Sequence, residues 1–320
     1  MEDELSLNLP GELPPAEPPV QHGPRWVFFG SDGLRAGWSA LSFLAIIVLL
    51  GKITMTIVSK FILHGHHMDP NASSSPVRAG IGESVSLVLI LVASWIMARI
   101  EGRRLAVYGY SGRSKLARFV AGGVWGFVAL SVLVGTLWKT HLLAFDGGHL
   151  AGMTAWKYAL AWLGMFVVVG IFEESLLRGY LQYTLTRGIG FWWGALLMSI
   201  LFGAIHGSNK GESPIGLFSA GAVGLVFCIS LWYTGSLWWA IGFHATWDWA
   251  QTFFYGTPDS GLTASGHFLS EHPLGPLLWS GGPTGPEGSL YIIPLLLIMA
   301  LAMWLWWRGR GVTTAYRQDV

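Results

Sequence analysis

Long apolar stretches, each of about 20 residues, run through almost the whole chain, and a helix needs roughly that length to cross a bilayer. We place them at residues 37–58, 81–100, 118–138, 158–187, 189–207, 214–233, 237–255 and 288–307. With 52% hydrophobic and 12% charged residues, the chain is too apolar for an ordinary soluble domain. We therefore predict an all-α polytopic membrane protein with about eight transmembrane helices.

The segments outside these stretches define the predicted domains. Residues 1–24 are acidic and proline-rich and lack the basic-then-apolar pattern of a cleaved signal peptide, so we predict a disordered cytoplasmic tail. Residues 25–310 form the predicted eight-helix membrane domain, and residues 311–320 form a second cytoplasmic tail. The long connection 256–287 contains neither Lys nor Arg.

Basic residues predict the orientation, because positively charged loops stay in the cytoplasm. If successive stretches cross in alternate directions, twelve Lys and Arg residues fall on the side of both termini. The other side holds Lys60, Arg78, Lys139, Lys157 and Lys210. We therefore expect both termini in the cytoplasm and the 256–287 connection outside.

Charge and cysteine usage exclude several other classes of protein. A net charge of +1 without a basic stripe argues against a nucleic-acid partner. The single cysteine, Cys228, excludes a disulfide or a thiolate metal cluster within the chain. Together with the lack of eukaryotic sorting signals, it favours a bacterial cytoplasmic membrane.

Ionisable side chains inside hydrocarbon are costly, face the protein interior or water, and mark functional sites. Within the stretches we single out Lys52, Glu173, Glu174, Arg178, His206, His244 and Asp248. Lys52 stands alone in its stretch, where snorkelling of the ammonium group to the interface is sufficient explanation.

The other charges are predicted to lie at one depth. Glu173 lies about 21 Å before the turn at 188–190, and His206 lies about 24 Å beyond it on an antiparallel helix. His244 and Asp248 lie about 14 and 20 Å beyond the turn at residue 235. The fourth, fifth and seventh helices therefore bring acid and imidazole groups into one layer.

Spacing within each helix predicts which groups share a face. Glu174 and Arg178 are four residues apart and can neutralise each other, whereas Glu173 is rotated by about 100° and is left to face His206 across the hairpin. His244 and Asp248 repeat the four-residue spacing, which suits a carboxylate that orients a histidine.

Two kinds of chemistry fit this set. A buried carboxylate beside a histidine has the parts of a general base for water, and a second histidine can hold an oxyanion. Alternatively, Glu173, His206 and His244, with or without Asp248, match zinc ligands with one position left for water. The residues alone leave open whether the site needs no cofactor or needs zinc.

Three motifs then occur in order, each on its own apolar stretch. They are EE-x3-R (Glu173, Glu174, Arg178), F-x3-H (Phe202, His206) and H-x3-D (His244, Asp248). This pattern, within residues 160–250, resembles the CPBP family of intramembrane proteases, which includes the type II CAAX prenyl endopeptidases and bacteriocin-processing proteins. No serine or aspartate motif of other intramembrane proteases is present.

The resemblance implies an eight-helix membrane endopeptidase with a protease core at about 158–255. It implies that Glu173 and His206 activate water and that His244 and Asp248 stabilise the oxyanion. Many relatives carry Asn at the position of Asp248, and an Asp there would repel an oxyanion unless it is protonated or turned toward His244. We favour metal-free glutamate catalysis over zinc because no stretch contains H-E-x-x-H.

The remaining expectations concern supporting residues and partners. Glu174, Arg178 and Phe202 are expected to be structural. The implied partners are the lipid bilayer and a peptide or protein substrate, membrane-anchored or free. The charge count places the mouth of the site beside His206 on the outer side, although CAAX enzymes act on cytoplasmic tails. Three explanations are open: the predicted orientation is wrong, the cavity opens toward the other side of the membrane, or the substrate is not a CAAX protein.

Three alternative functions stay open from sequence. The charged set can be a polar network that only holds helices together. It can be the relay of a transporter, although inverted repeats are not visible. It can also belong to a catalytically silent family member that acts as a membrane scaffold or regulator.

Overall fold

The computed structural model describes residues 25–31, 33–62 and 75–309. The predicted tails at 1–24 and 311–320 lie outside this part of the chain, and so do residue 310 and the 63–74 segment.

Most of the described chain is helical. The helices are α1 (Arg25–Phe28), α2 (Ala36–Ile57), α3 (Pro76–Ile100), α4 (Lys115–Lys139), α5 (Gly152–Glu174), α6 (Gln182–Ile189), α7 (Phe191–His206), α8 (Pro214–Thr234), α9 (Trp238–Trp249), α10 (Leu277–Ser280) and α11 (Ile292–Trp307). Helices α2, α5 and α9 continue into π-helical segments at Val58–Ile62, Ser175–Leu181 and Ala250–Tyr255. Short 3-10 turns lie at Leu105–Val107, Gly282–Thr284 and Pro286–Gly288.

Each apolar stretch of the sequence contains a helix, which confirms the all-α polytopic class. Within the described residues, five helices are long and apolar enough to cross a membrane. They are Ala36–Lys60, Pro76–Ile100, Lys115–Lys139, Gly152–Ile189 and Pro214–Thr234. Helices α7 and α11 are apolar but have only 16 residues each, so the count of eight crossings stays a prediction.

Two small antiparallel sheets were not predicted from the sequence. Strand β1 (Phe29–Gly30) pairs with β2 (Gly33–Leu34), and β3 (Leu143–Gly148) pairs with β4 (Leu269–Pro273). The second pairing joins the loop after α4 to the 256–287 connection, with a register irregularity between Phe145 and Gly147. The sequence shows no alternation of apolar and polar residues at these strands, because they are short and lie among loop residues.

Helix α9 is the centre of the bundle and packs most extensively against α4 and α5. Glycines allow the close contact with α4. A Cβ atom on Gly122 would lie 1.9 Å from the Trp239 carbonyl oxygen, and one on Gly242 would lie 2.0 Å from the Phe119 carbonyl oxygen. Small residues let membrane helices approach through their backbones, so these glycines fix the position of α9.

The loops gather at two opposite ends of the bundle. One end, termed the basic end, carries the α3–α4 loop, the α6–α7 and α8–α9 turns and the end of α11. There Arg103 and Arg187 both lie 3.7 Å from Glu101. The other end, termed the sheet end, carries β3, β4 and the α7–α8 loop, whose Asn209 side chain donates to the Ser260 carbonyl at 2.9 Å.

The α4–α9 contact can be tested with two matched substitutions in α4. Gly122→Ala should lower stability by about 1–3 kcal/mol, the usual cost of overpacking. Gly135→Ala should change it by no more than about 1 kcal/mol, because no atom lies within 4 Å of a Cβ there. Thermal unfolding of the purified protein measures both, and equal stability of the two variants would contradict the close α4–α9 contact.

Candidate active site

The first charged motif lies where α5 changes its backbone geometry. Helix α5 ends at Glu174, and the π-helical segment Ser175–Leu181 follows without a break in the chain. Gly179 in this segment has non-helical angles, φ −77° and ψ −110°. π-helical turns are rare and often occur at functional sites. Here the irregular segment carries Arg178.

Glu174 and Arg178 form a fully buried ion pair. The Arg178 Nη1 atom lies 3.1 Å from Glu174 Oε1, and both side chains are 0% exposed. The Arg178 guanidinium also lies over the Phe202 ring, 4.4 Å from its centroid, and 5.6 Å from the centroid of Phe227. The charge is thus enclosed by one carboxylate and two aromatic faces, a favourable arrangement for a cation.

Three carboxylates lie close to the imidazole ring of His244. Its Nδ1 atom lies 3.2 Å from Glu174 Oε1, while its Nε2 atom lies 3.6 Å from Glu173 Oε2 and 3.4 Å from Asp248 Oδ2. An ionised carboxylate only accepts hydrogen bonds, so Nδ1–H donates to Glu174. Glu174 therefore links Arg178 to His244 and fixes the orientation of the imidazole.

His206 is held in a different way, at the last position of α7. Its Nδ1 atom lies 2.8 Å from the Phe202 carbonyl oxygen, which can only accept, so Nδ1 carries the hydrogen. The Phe202 ring packs edge-on against the imidazole, with centroids 4.8 Å apart. In the neutral ring, Nε2 is left with a free lone pair.

Glu173, His206, His244 and Asp248 all line one cavity of about 750 Å³. Its walls come from α3, α5, α7, α9 and the loop at 259–264, and they include apolar side chains. These apolar residues are Trp162, Met165, Phe166, Val169, Ile205 and Leu262. Asn209 and Ser260 also line the cavity, so it reaches the sheet end.

The structure adds a partner for Glu173 that the sequence did not predict. Glu173 forms an ion pair with His244 on α9, and it lines the same cavity as His206, toward which the sequence directs it. Helix α5 packs extensively on α9, which brings the Glu173 carboxylate to this imidazole. His206 lines the same cavity as Glu173, and among the described residues no ion pair joins the two.

Sequence reasoning missed two acidic residues that line the same cavity. Glu83 lies on α3, where it is one of the first residues of an apolar stretch. Asp259 lies in the 256–287 connection, and its Oδ2 atom accepts from Thr252 Oγ1 at 3.1 Å. Burial and the nearby Asp248 carboxylate raise the pKa of Asp259. Glu83 could have been found from the sequence, because it is a carboxyl group in an apolar stretch. Asp259 lies in a loop, where an acidic residue is ordinary and attracts no notice.

Among the described residues, the side chains of His, Cys, Asp and Glu form no group of three or more that could hold a metal ion. The alternative zinc set of Glu173, His206 and His244 therefore stays a prediction.

Comparison with protein families matches residues 154–250 to the family described as Type II CAAX prenyl endopeptidase Rce1-like. The match spans the chain from α5 to the start of the π-helical segment after α9, and it contains all three motifs. It confirms the family resemblance. Comparisons with curated proteins and with solved structures find no match.

The buried ion pair can be tested by removing one partner. Arg178→Met should destabilise the protein by about 3–5 kcal/mol, because it leaves the Glu174 carboxylate buried without its cation. The double variant Glu174→Gln/Arg178→Met should recover part of this loss, since no uncompensated charge remains. Thermal unfolding of the three proteins checks this, and a single variant as stable as the wild type would refute it.

Proposed function

We propose that this chain, whose residues 154–250 match the Rce1-like type II CAAX prenyl endopeptidase family, hydrolyses peptide bonds within the membrane. The observation that carries the proposal is the cavity that collects Glu173, His206, His244 and Asp248 inside the matched segment. Water-mediated peptide hydrolysis requires a general base, a group that orients the water and a donor to the oxyanion. One acid, two imidazoles and a supporting carboxylate line this cavity and can fill these roles.

Glu173 is the proposed general base. Its Oε2 atom has no hydrogen-bond partner among the described residues, and its carboxylate lines the cavity. A water between Glu173 and His206 would donate one hydrogen to the carboxylate and the other to the free Nε2 lone pair of His206. Such a water is oriented by two acceptors and loses one proton to Glu173 as it attacks.

The attack forms a bond between the water oxygen and the carbonyl carbon of the substrate and pushes an electron pair onto the carbonyl oxygen. His244 is proposed to stabilise this oxyanion by donating from Nε2. When the carbon–nitrogen bond breaks, Glu173 returns its proton to the leaving nitrogen, so the released products are a carboxyl group and an amine.

Asp248 is proposed to position His244 and not to touch the oxyanion. Its Oδ2 atom lies 3.4 Å from His244 Nε2, one turn away on the same helix. A carboxylate directed at the imidazole supports its charged form, whereas one directed at the oxyanion would repel it. Because Nε2 carries one hydrogen, Asp248 is proposed to orient it in the free protein and to give it up to the oxyanion when the water attacks.

In the zinc alternative the same side chains, Glu173, His206 and His244, would hold the ion, and the ion would activate water. Metal content of the purified active protein and its sensitivity to a chelator separate this alternative from metal-free catalysis.

We propose that the basic end faces the cytoplasm of a bacterial cell, with both termini on that side. The cavity lining reaches Asn209 and Ser260 at the sheet end, which argues against an opening toward the basic end. The substrate would then approach from the outer side of the membrane, unlike a protein with a cytoplasmic CAAX tail.

Catalysis is tested with three substitutions. Glu173→Gln, His206→Ala and His244→Ala should each reduce cleavage by at least about 10²-fold, since each removes a proton-transfer or oxyanion group. Proteomic comparison of membranes with wild type and with Glu173→Gln identifies the peptides to be measured.

Glu271→Gln and His272→Ala serve as controls, because these sheet-end residues do not line the cavity. Cleavage by Glu173→Gln at the wild-type rate would refute the mechanism. Full rescue of a deletion phenotype by Glu173→Gln would favour the scaffold function.

The orientation is tested by labelling introduced cysteines in intact cells with a membrane-impermeant maleimide. Ser265→Cys at the sheet end should react, and Arg104→Cys at the basic end should react only after lysis. Both positions are exposed, and the native Cys228 is buried and should add little background. The reverse pattern would place the cavity on the cytoplasmic side.

A further inference from the structure

A second pocket, of about 440 Å³, lies at the basic end, far from the candidate active site. It is formed by the ends of four helices. Arg118 and Trp125 come from α4, Tyr233 from α8, Trp239 from α9 and Trp307 from α11. Neither the family match nor the proposed reaction assigns it a function.

Arg118 supplies the charge of this pocket. Its side chain is half-buried, and its Nη1 atom donates to the Thr234 carbonyl oxygen at 3.2 Å. Within the described ranges, no carboxylate forms a salt bridge with it. A guanidinium has five N–H donors. The contact with the Thr234 carbonyl uses one of these donors. The other donors and the positive charge of Arg118 are therefore available to an anionic ligand.

The rest of the wall is aromatic and held in place by ring contacts. The Trp239 ring lies 6.1 Å from Trp125 and 6.0 Å from Trp307, and Tyr233 stacks on Trp307 at 5.9 Å. Indole and phenol rings favour the membrane–water interface. The wall therefore suits a ligand that combines apolar groups with a headgroup.

The pocket also lies at the depth of lipid headgroups. Arg118 is in the first turn of α4, Thr234 is the last residue of α8, and Trp307 is the last residue of α11. A helix that is just long enough to cross a bilayer has its ends at the membrane–water interface. Trp306 and Ala117, which also line the pocket, are exposed on the surface of the bundle.

We infer that this pocket binds an anionic phospholipid, with its phosphate on Arg118 and its chains along the aromatic wall. Basic pockets between membrane helices at the positively charged side suit such headgroups. A free phosphate shares the anionic group but leaves the aromatic wall unfilled, so we commit to the lipid. Because the pocket joins α4, α8 and α11 to α9, bound lipid would stabilise the helix that carries His244.

The test is thermal unfolding of the full-length protein in detergent with three additives: phosphatidylglycerol, phosphatidylcholine and inorganic phosphate. Only phosphatidylglycerol should raise the unfolding temperature of the wild type. Arg118→Gln should lose most of this increase. The measured quantity is the difference between the two lipids for each protein, so a lower baseline for the variant does not affect the result.

Arg99→Gln is the matched control. Arg99 is an exposed arginine at the same end of the bundle and lies 5.7 Å from the centroid of the Trp95 ring, but it does not line the pocket. It should keep the full response to phosphatidylglycerol. If Arg118→Gln does not fold, Ala117→Trp provides a second variant that fills the mouth of the pocket, and it should also lose the response.

Several outcomes would overturn the inference. An equal phosphatidylglycerol response in the wild type and in Arg118→Gln, or in the wild type and in Ala117→Trp, would exclude this pocket. An equal loss in Arg99→Gln would indicate general attraction of anionic lipid to the basic end. The same stabilisation by inorganic phosphate would indicate a site for a free anion. None of these results depends on peptide cleavage.

Discussion

The fully buried ion pair between Glu174 and Arg178 is the interaction on which the candidate site depends. A charge in a low-dielectric interior is strongly destabilising unless an opposite charge lies beside it. The same Glu174 oxygen also accepts from His244, so a single carboxylate neutralises the arginine and orients the imidazole. Arg178 therefore supplies the counter-charge to Glu174, and Glu174 fixes the orientation of the His244 ring.

This arrangement requires α9 to lie at a fixed distance from α5 and at a fixed rotation. The glycines at the α4–α9 contact allow backbone approach and hold α9 on one side. On the other side, the Trp249 indole donates to the Ala159 carbonyl at 2.9 Å, which ties α9 to α5 along its length. Between these two contacts His244 has little freedom to move away from Glu173 and Glu174.

The two ends of the bundle have different chemistry. At the sheet end, residues 259–264 of the 256–287 connection line a cavity rich in carboxylates. At the basic end, a half-buried arginine lies in an aromatic pocket where lipid headgroups are expected. Proposed substrate access and the inferred lipid contact are thus separated by the length of the helices, with α9 common to both.

The sequence by itself determined the helical class, the positions of the apolar helices, the motif residues and the Glu174–Arg178 pair. These features depend on local spacing along one helix, which a period of about 3.6 residues fixes. The tertiary structure decided that Glu173 pairs with His244, that Glu83 and Asp259 join the cavity, and that β3 pairs with β4. Those contacts depend on the rotation and separation of different helices. Close contact at glycines and side-chain packing set both, and no local sequence pattern encodes them.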